Sequence, residues 1–274
     1  MSDPSSSFPW VGAVPGGERL TEMVTPEPVG DQRFVVDVAG KLPRHLFGGL
    51  VAAQSLQVAS TSVDPSRRVH SAHAYFLRRG DPQRPIEFEV HLDTDGRSFS
   101  ARRVAAVQAG RPIFTMVCSF QVPEVTETAL SPMPPDVPEP LEVDLWERHS
   151  MAGYLEVRRS PVTARAVGSM HGERLWIRAV GPLSDDAVLH DCLRFCASDM
   201  GTPWMPAPGD GKALVSLDHA MWFHEWSRMD EWHYVDLEPH AFLSGRGFYT
   251  GRMWHHGGAQ VASIAQENLV RATT

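Results

Sequence analysis

Apolar and polar positions along this chain follow first a helical and then a strand-like period, and that order recurs in each half. Phe47-Gly48-Gly49 opens a run from Leu50 to Val58 in which Leu50, Ala53, Gln54 and Gln57 recur at helical spacing. Four segments of strand character follow: Val69–Leu77, Ile86–Leu92, Phe99–Gln108 and Pro112–Val122. Asp95-Gly96 and Ala109-Gly110 supply turns between them. In the second half, Asp185 to Asp199 reads as a helix with Ser184 as its N-cap. Asp185 and Asp186 then fall in the first turn, where the helix dipole favours anions. Segments at Ala213–His224, Trp232–Leu237, Gly247–His255 and Gln260–Val270 follow it.

The residues repeat as well as the elements. His73-Ala74-x-Phe76 matches His219-Ala220-x-x-Phe223, and Gly96-Arg97-Ser98-Phe99 with Arg103 matches Gly245-Arg246-Gly247-Phe248 with Arg252. Between the halves, Pro123, Pro132, Pro134, Pro135, Pro138 and Pro140 stand among Glu124, Glu127, Asp136 and Glu139. Proline removes backbone donors and blocks helix, so an extended, solvated linker is expected over 122–141. The expected organisation is a repeat over 1–121, whose first 20 residues form a loose arm, then the linker, then a second repeat over 142–274 that carries the candidate chemistry. The fold class is α+β: a mostly apolar helix per half wrapped by a curved antiparallel sheet, the two sheets joining into one.

Composition narrows the function classes. Twenty-five Lys and Arg against 33 Asp and Glu give a net charge of −8, which disfavours a nucleic-acid binder, because phosphate neutralisation needs clustered cations. Cys118, Cys192 and Cys196 are too few for a disulfide framework, so a reducing, cytoplasmic setting is expected. No uncharged apolar run approaches membrane-spanning length, and Met-Ser-Asp-Pro does not open a signal peptide.

Gly-x-Ser-x-Gly and a Walker A loop are both absent, and Gly245-x-Gly247-x-x-x-Gly251 misses the dinucleotide pattern by one residue. None of the thirteen histidines pairs with Cys or His at zinc-like spacing, and His255-His256 fall in a turn, so no metal is expected. Asp199 is more informative. It continues the stripe Cys192, Phe195, Cys196 on one face of the second helix. A carboxylate there is costly to desolvate, and at a helix C-terminus the dipole disfavours it. Its pKa should be raised, which suits a base or a water-orienting group; the alternative is a cap on the turn at Gly201. Ser216 and Gln266 are isolated polar residues in apolar strands, each compatible with a satisfied core group or with catalysis.

Taken together, FGGLVAAQSL (47–56), VHSAHAYFLRRGDP (69–82), DGRSFSARRVAAVQAGRPIFTMVCSFQ (95–121), ASDM (197–200), SLDHAMWFH (216–224) and ASIAQENLVR (262–271) resemble the acyl-CoA thioesterase II family. The resemblance implies a double-hotdog fold and hydrolysis of fatty acyl-CoA to CoA and a fatty acid. CoA is then part of the substrate, and no cofactor is needed. It also implies a trio of Asp199, Ser216 and Gln266 around the attacking water, and further association of chains into a homo-oligomer. Gly48 and Gly49 permit close approach of a substrate to a helix start, or close helix–sheet packing. His73 reads as a core histidine bonded to a neighbouring strand. Phe195, Met221 and Trp222 are candidates for an acyl tunnel or for the core, and Arg103 and Arg252 for CoA phosphates or a solvated strand face. A hotdog hydratase, which needs a His paired with an acid, and a non-catalytic acyl-CoA sensor are the competing functions.

Overall fold

Helix α1 (Gly16–Val24) begins inside the segment expected to be a loose arm. Leu20, Met23 and Val24 bury one face of it, and the buried Gln54 side chain donates to the Met23 carbonyl at 2.7 Å. The computed structural model describes residues 16–39, 41, 46–147, 149, 151–160, 166–203 and 212–272; the rest of the expected arm lies outside them. A hairpin of β1 (Glu27–Gly30) and β2 (Arg33–Val36) leads to α2 (Gly48–Ser60). Then come β3 (Arg68–Phe76), β4 (Ile86–Asp95), β5 (Phe99–Gln108) and β6 (Arg111–Gln121). The second repeat opens with β7 (Asp144–Leu145), β8 (Leu155–Arg159), the small hairpin of β9 (Ala166–Val167) and β10 (Met170–His171), and β11 (Glu173–Ala179). It continues with α3 (Ala187–Ser198), β12 (Lys212–Ser216), β13 (Asp218–Phe223), β14 (His233–Leu243), β15 (Arg246–His255) and β16 (Gln260–Ala272).

One sheet runs β1-β2-β4-β5-β6-β3-β13-β16-β15-β14-β11-β8-β7, with β12 pairing β16 off this path. Its centre is the β3–β13 pair, with His73 opposite Ala220 and Ala74 opposite His219. Outward from that seam the strands match two by two: β6 with β16, β5 with β15, β4 with β14, β2 with β11. The expected continuous sheet wrapped round one helix per half is therefore present. Helix α2 is buried along nearly its whole length, and Leu189, Cys192, Leu193, Phe195 and Cys196 of α3 lie in the same core.

Several expectations are corrected. Asp186, not Ser184, caps α3: its side chain accepts from the Val188 N–H at 2.9 Å, while the Ser184 carbonyl receives His190 Nε2. The linker has little regular structure beyond a 3-10 turn at Pro140–Glu142, yet it is tethered rather than solvated throughout. The indoles of Trp254 and Trp176 donate to the Ser131 and Pro138 carbonyls, and Met133 and Val137 pack on Trp176, Tyr234 and Trp254. That cover also hides β11 from sequence reading. Trp176 is buried beneath the linker, so Leu175, Trp176 and Ile177 are all buried and the period-two pattern is lost.

Candidate active site

The segment expected as one strand, Ala213–His224, is broken at Leu217, and the break builds the site. Ser216 pairs with Asn268 on β16, whereas Ala220 pairs with Ala265. Four residues on one strand thus span three on the other, so one extra residue is accommodated at Leu217. A one-residue slip turns a strand's side chains to the opposite face. Ser216 and His219, an odd number of residues apart, therefore both face the helices, beside Gln266 and Asn268. Leu217 is held by its own bonds: its N–H donates to the Glu267 carbonyl and its carbonyl accepts from Phe76, both at 2.9 Å.

Asp199 stands at the C-cap of α3, opposite the N-terminus of α2. Phe47, the N-cap of α2, offers no side-chain acceptor, and the Asp199 carboxylate takes the Gly49 N–H instead. This contact explains the two glycines. A Cβ at Gly49 would lie 2.6 Å from the Cys196 carbonyl oxygen, and one at Gly48 would lie 2.5 Å from the Phe76 ring and 3.1 Å from Asp199 Oδ2. The carboxylate thus sits between a helix end that disfavours an anion and one that favours it.

The structure brings the three candidate residues together. Gln266 Nε2 is 3.1 Å from Asp199 Oδ1 and 2.8 Å from Ser216 Oγ, and Ser216 Oγ makes a longer contact of 3.4 Å to the same carboxylate oxygen. Gln266 is buried, whereas Asp199, Ser216 and Gly48 stay partly accessible, so the cluster opens to solvent on one side. Burial pushes the Asp199 carboxyl up to about 7, against the opposing pull of hydrogen bonds from Gln266, Gly49 and Ser216. A carboxylate titrating there is matched to proton transfer near neutrality.

Behind the trio lies a polar chain that sequence reasoning missed. His219 is fully buried, with Nδ1 on Gln266 Oε1 and Nε2 2.6 Å from Ser198 Oγ. Asn268 Oδ1 is a further acceptor for Gln266 Nε2, at 3.0 Å. A serine hydroxyl on an imidazole suggests a nucleophile, but Ser198 is 1% exposed and the third member is a neutral amide. Burial holds the His219 imidazole down to about 4, so it is neutral. The available signal was a polar residue at an inward strand position, but the bulge at Leu217 decides which positions face inward.

Other candidates lie elsewhere. His73 is exposed on the outer face against Trp222, with ring centroids 5.0 Å apart, so it is not a core histidine and Trp222 lines no tunnel. It faces away from the side His219 occupies, and the two His-Ala motifs are not structurally equivalent. Phe195 and Met221 are core residues. Arg103 pairs with Asp93 on the surface, and Arg252 is exposed on its strand. His255 and His256 meet Glu231 and Glu139, and no metal-like cluster of His, Cys, Asp and Glu occurs among the described residues.

Known proteins share this outline. A hot-dog protein from Alicyclobacillus acidocaldarius has the same fold at a TM-score of 0.73 and 16% identity, over 93% of this chain and 99% of that one. The acyl-CoA thioesterase II TesB2 from Mycobacterium marinum is nearer in sequence, with 34% identity and a TM-score of 0.78 over 93% and 99% of the two chains. These define a double-hotdog thioesterase. Residues 39–121 match the acyl-CoA thioesterase N-terminal domain and residues 124–270 the acyl-CoA thioesterase C-terminal domain. Human acyl-coenzyme A thioesterase 8 is 31% identical, covering 95% of this chain and 92% of its own. The chain belongs to the acyl-CoA thioesterase family, and it is a thioester hydrolase.

Proposed function

We propose that the chain hydrolyses fatty acyl-CoA through a water molecule held by Asp199, Ser216 and Gln266. The observation that carries this reading is the junction itself: a carboxylate, a hydroxyl and an amide in mutual contact, partly open to solvent, at the meeting of two helix ends. Asp199 takes a proton from water as its oxygen attacks the thioester carbonyl, and Ser216 and Gln266 set the direction of attack. The Gly49 N–H already serves the carboxylate, so the other free N–H groups in the first turn of α2, that of Gly48 first, receive the developing oxyanion. Collapse of the tetrahedral adduct breaks the carbon–sulfur bond, and the thiolate leaves as free CoA with the proton that Asp199 returns.

The dehydration alternative needs an imidazole free to exchange protons with substrate, and both nitrogens of His219 are engaged. A sensor would keep a pocket without needing the trio, and here all three groups are retained in mutual contact. We propose in addition a cytoplasmic setting, on the ground of three buried free cysteines. We propose likewise that the outer face, where Tyr75, Val117 and Trp222 are exposed, is a contact between copies in a homo-oligomer. The test is release of CoA thiol from acyl-CoAs of graded chain length. Asp199→Asn should lower turnover by about 10²–10⁴-fold, the range for losing a positioned base, without losing the fold. Near-normal release by that variant would remove Asp199 from its role.

A further inference from the structure

The site works as described only if Gln266 presents its nitrogen to Asp199. A glutamine amide can rotate by half a turn at little steric cost, which exchanges donor for acceptor. In the rotated state the amide oxygen would face a carboxylate, and a water held there would meet two acceptors. Something has to hold the amide.

The hydrogen-bond pattern shows what does. On one side of the Gln266 amide lie Asp199 Oδ1, Ser216 Oγ and Asn268 Oδ1, at 3.1, 2.8 and 3.0 Å. The ionised Asp199 carboxylate only accepts, so in the reactive state this side requires the NH2 group. Gln266 Oε1 then faces His219 Nδ1, which must carry the proton. His219 Nε2 is left as an acceptor 2.6 Å from Ser198 Oγ, whose single hydrogen it shares with the Phe195 carbonyl 2.8 Å from the same oxygen. The imidazole plane is fixed as well: Phe195 stacks on it, with centroids 5.4 Å apart and 26° between planes. Ser198 and Phe195 both belong to α3, the helix that carries Asp199 at its end.

We propose that His219 is a positioning residue for thioester hydrolysis: its Nδ1–H holds Gln266 Oε1 and so keeps Nε2 on Asp199 and the attacking water. It touches neither substrate nor water. The inference rests on the function proposed above, and it adds that the orientation of Gln266 is set from α3 through a neutral imidazole. The remaining titratable neighbours of Asp199, Cys196 and Tyr249, are both pushed up by burial and stay uncharged.

The experiment is a kinetic comparison of His219→Leu, His219→Asn, Gln266→Leu and the His219→Leu/Gln266→Leu double variant, with folding checked by thermal unfolding. His219→Leu should lower kcat by about 10–100-fold, the usual effect of deleting the partner that orients a catalytic group, with KM changed by less than about twofold. Its acid limb in kcat/KM should move to higher pH, because the carboxylate loses a donor. His219→Asn, whose amide N–H can replace Nδ1–H, should recover most of the loss. The double variant should be no worse than Gln266→Leu alone. Full additivity, a loss confined to KM, or an unmoved acid limb would each overturn the proposal. Normal activity of Gln266→Leu would instead overturn the reading of the trio. Should His219→Leu not fold, nitrogen-15 NMR of the intact protein decides. A neutral Nδ1–H imidazole at about pH 6 supports the assignment, and an Nε2–H or charged ring refutes it.

Discussion

Asp199 is the residue at which function and stability conflict most directly. Its carboxyl titrates near 7 in the folded chain, against an ordinary 3.8. Between those values the folded protein holds a proton that the unfolded chain has released. Stability from this group is therefore present below about 3.8, declines as pH rises through the window, and is constant above 7. Asp199→Asn has no such dependence. The stability difference between variant and wild type should move in the variant's favour by about 2–3 kcal/mol from pH 5 to pH 8, since each pH unit inside the window is worth about 1.36 kcal/mol. Thermal unfolding of both proteins at the two pH values measures it, and a difference independent of pH would mean that the carboxyl titrates as an exposed one does. In wild type, kcat/KM should fall below about pH 7 as the base is protonated. This residue was legible in the sequence because a carboxylate on an apolar stripe demands an explanation. Ser216 and Gln266 stood out likewise, as polar residues in apolar strands. His219 did not, since its inward orientation depends on a bulge one residue long.

At the scale of elements, the junction of α2 with α3 is the feature to perturb. Gly48 and Gly49 are adjacent, yet a methyl group meets different neighbours at each. At Gly49 the obstacle is the Cys196 carbonyl at 2.6 Å, part of the backbone of α3, with the Phe47 ring at 2.7 Å. Neither helix can yield without moving the other, so Gly49→Ala should cost about 1–3 kcal/mol through overpacking. At Gly48 the obstacles are the edge of the Phe76 ring and the carboxylate itself. Gly48→Ala should spare the melting temperature more and lower kcat/KM more, by crowding Asp199 Oδ2. Melting curves and CoA release for the two variants separate these effects; an unchanged melting temperature for Gly49→Ala would contradict the packing argument. Helices α2 and α3, both buried nearly all round, were readable as apolar runs of helical length and spacing, and the four-strand meanders from their alternation and turns. The strand β11 was not. Trp176 lies under the linker on the face that would otherwise be polar, and a strand covered on both faces loses its alternation.

The whole molecule is two repeats sharing one sheet and one core, and a buried charge cluster crosses between them. Arg68 on β3 reaches Asp191 on α3 at 2.7 Å, and Arg194 one turn along α3 lies 3.5 Å from the other carboxylate oxygen. Arg194 is 1% exposed and also donates to the Ser227 carbonyl and hydroxyl, which ties α3 to the loop after β13. The net worth of such a cluster is small, because desolvation offsets attraction; breaking it is costly, because a buried charge is left behind. Asp191→Asn keeps the shape and removes the charge. It should destabilise the chain by about 3 kcal/mol, the lower end of the range for breaking a buried pair, since Arg68 can turn to solvent. The loss should shrink in an Arg194→Met background, where no guanidinium is stranded. Since the seam and the cluster both join the repeats, unfolding in denaturant should remain a single transition in every variant, moved to lower concentration in Asp191→Asn. Two resolved transitions would show that the repeats fold separately. An undiminished loss in the Arg194→Met background would place the role of Asp191 in its pairing with Arg68 alone.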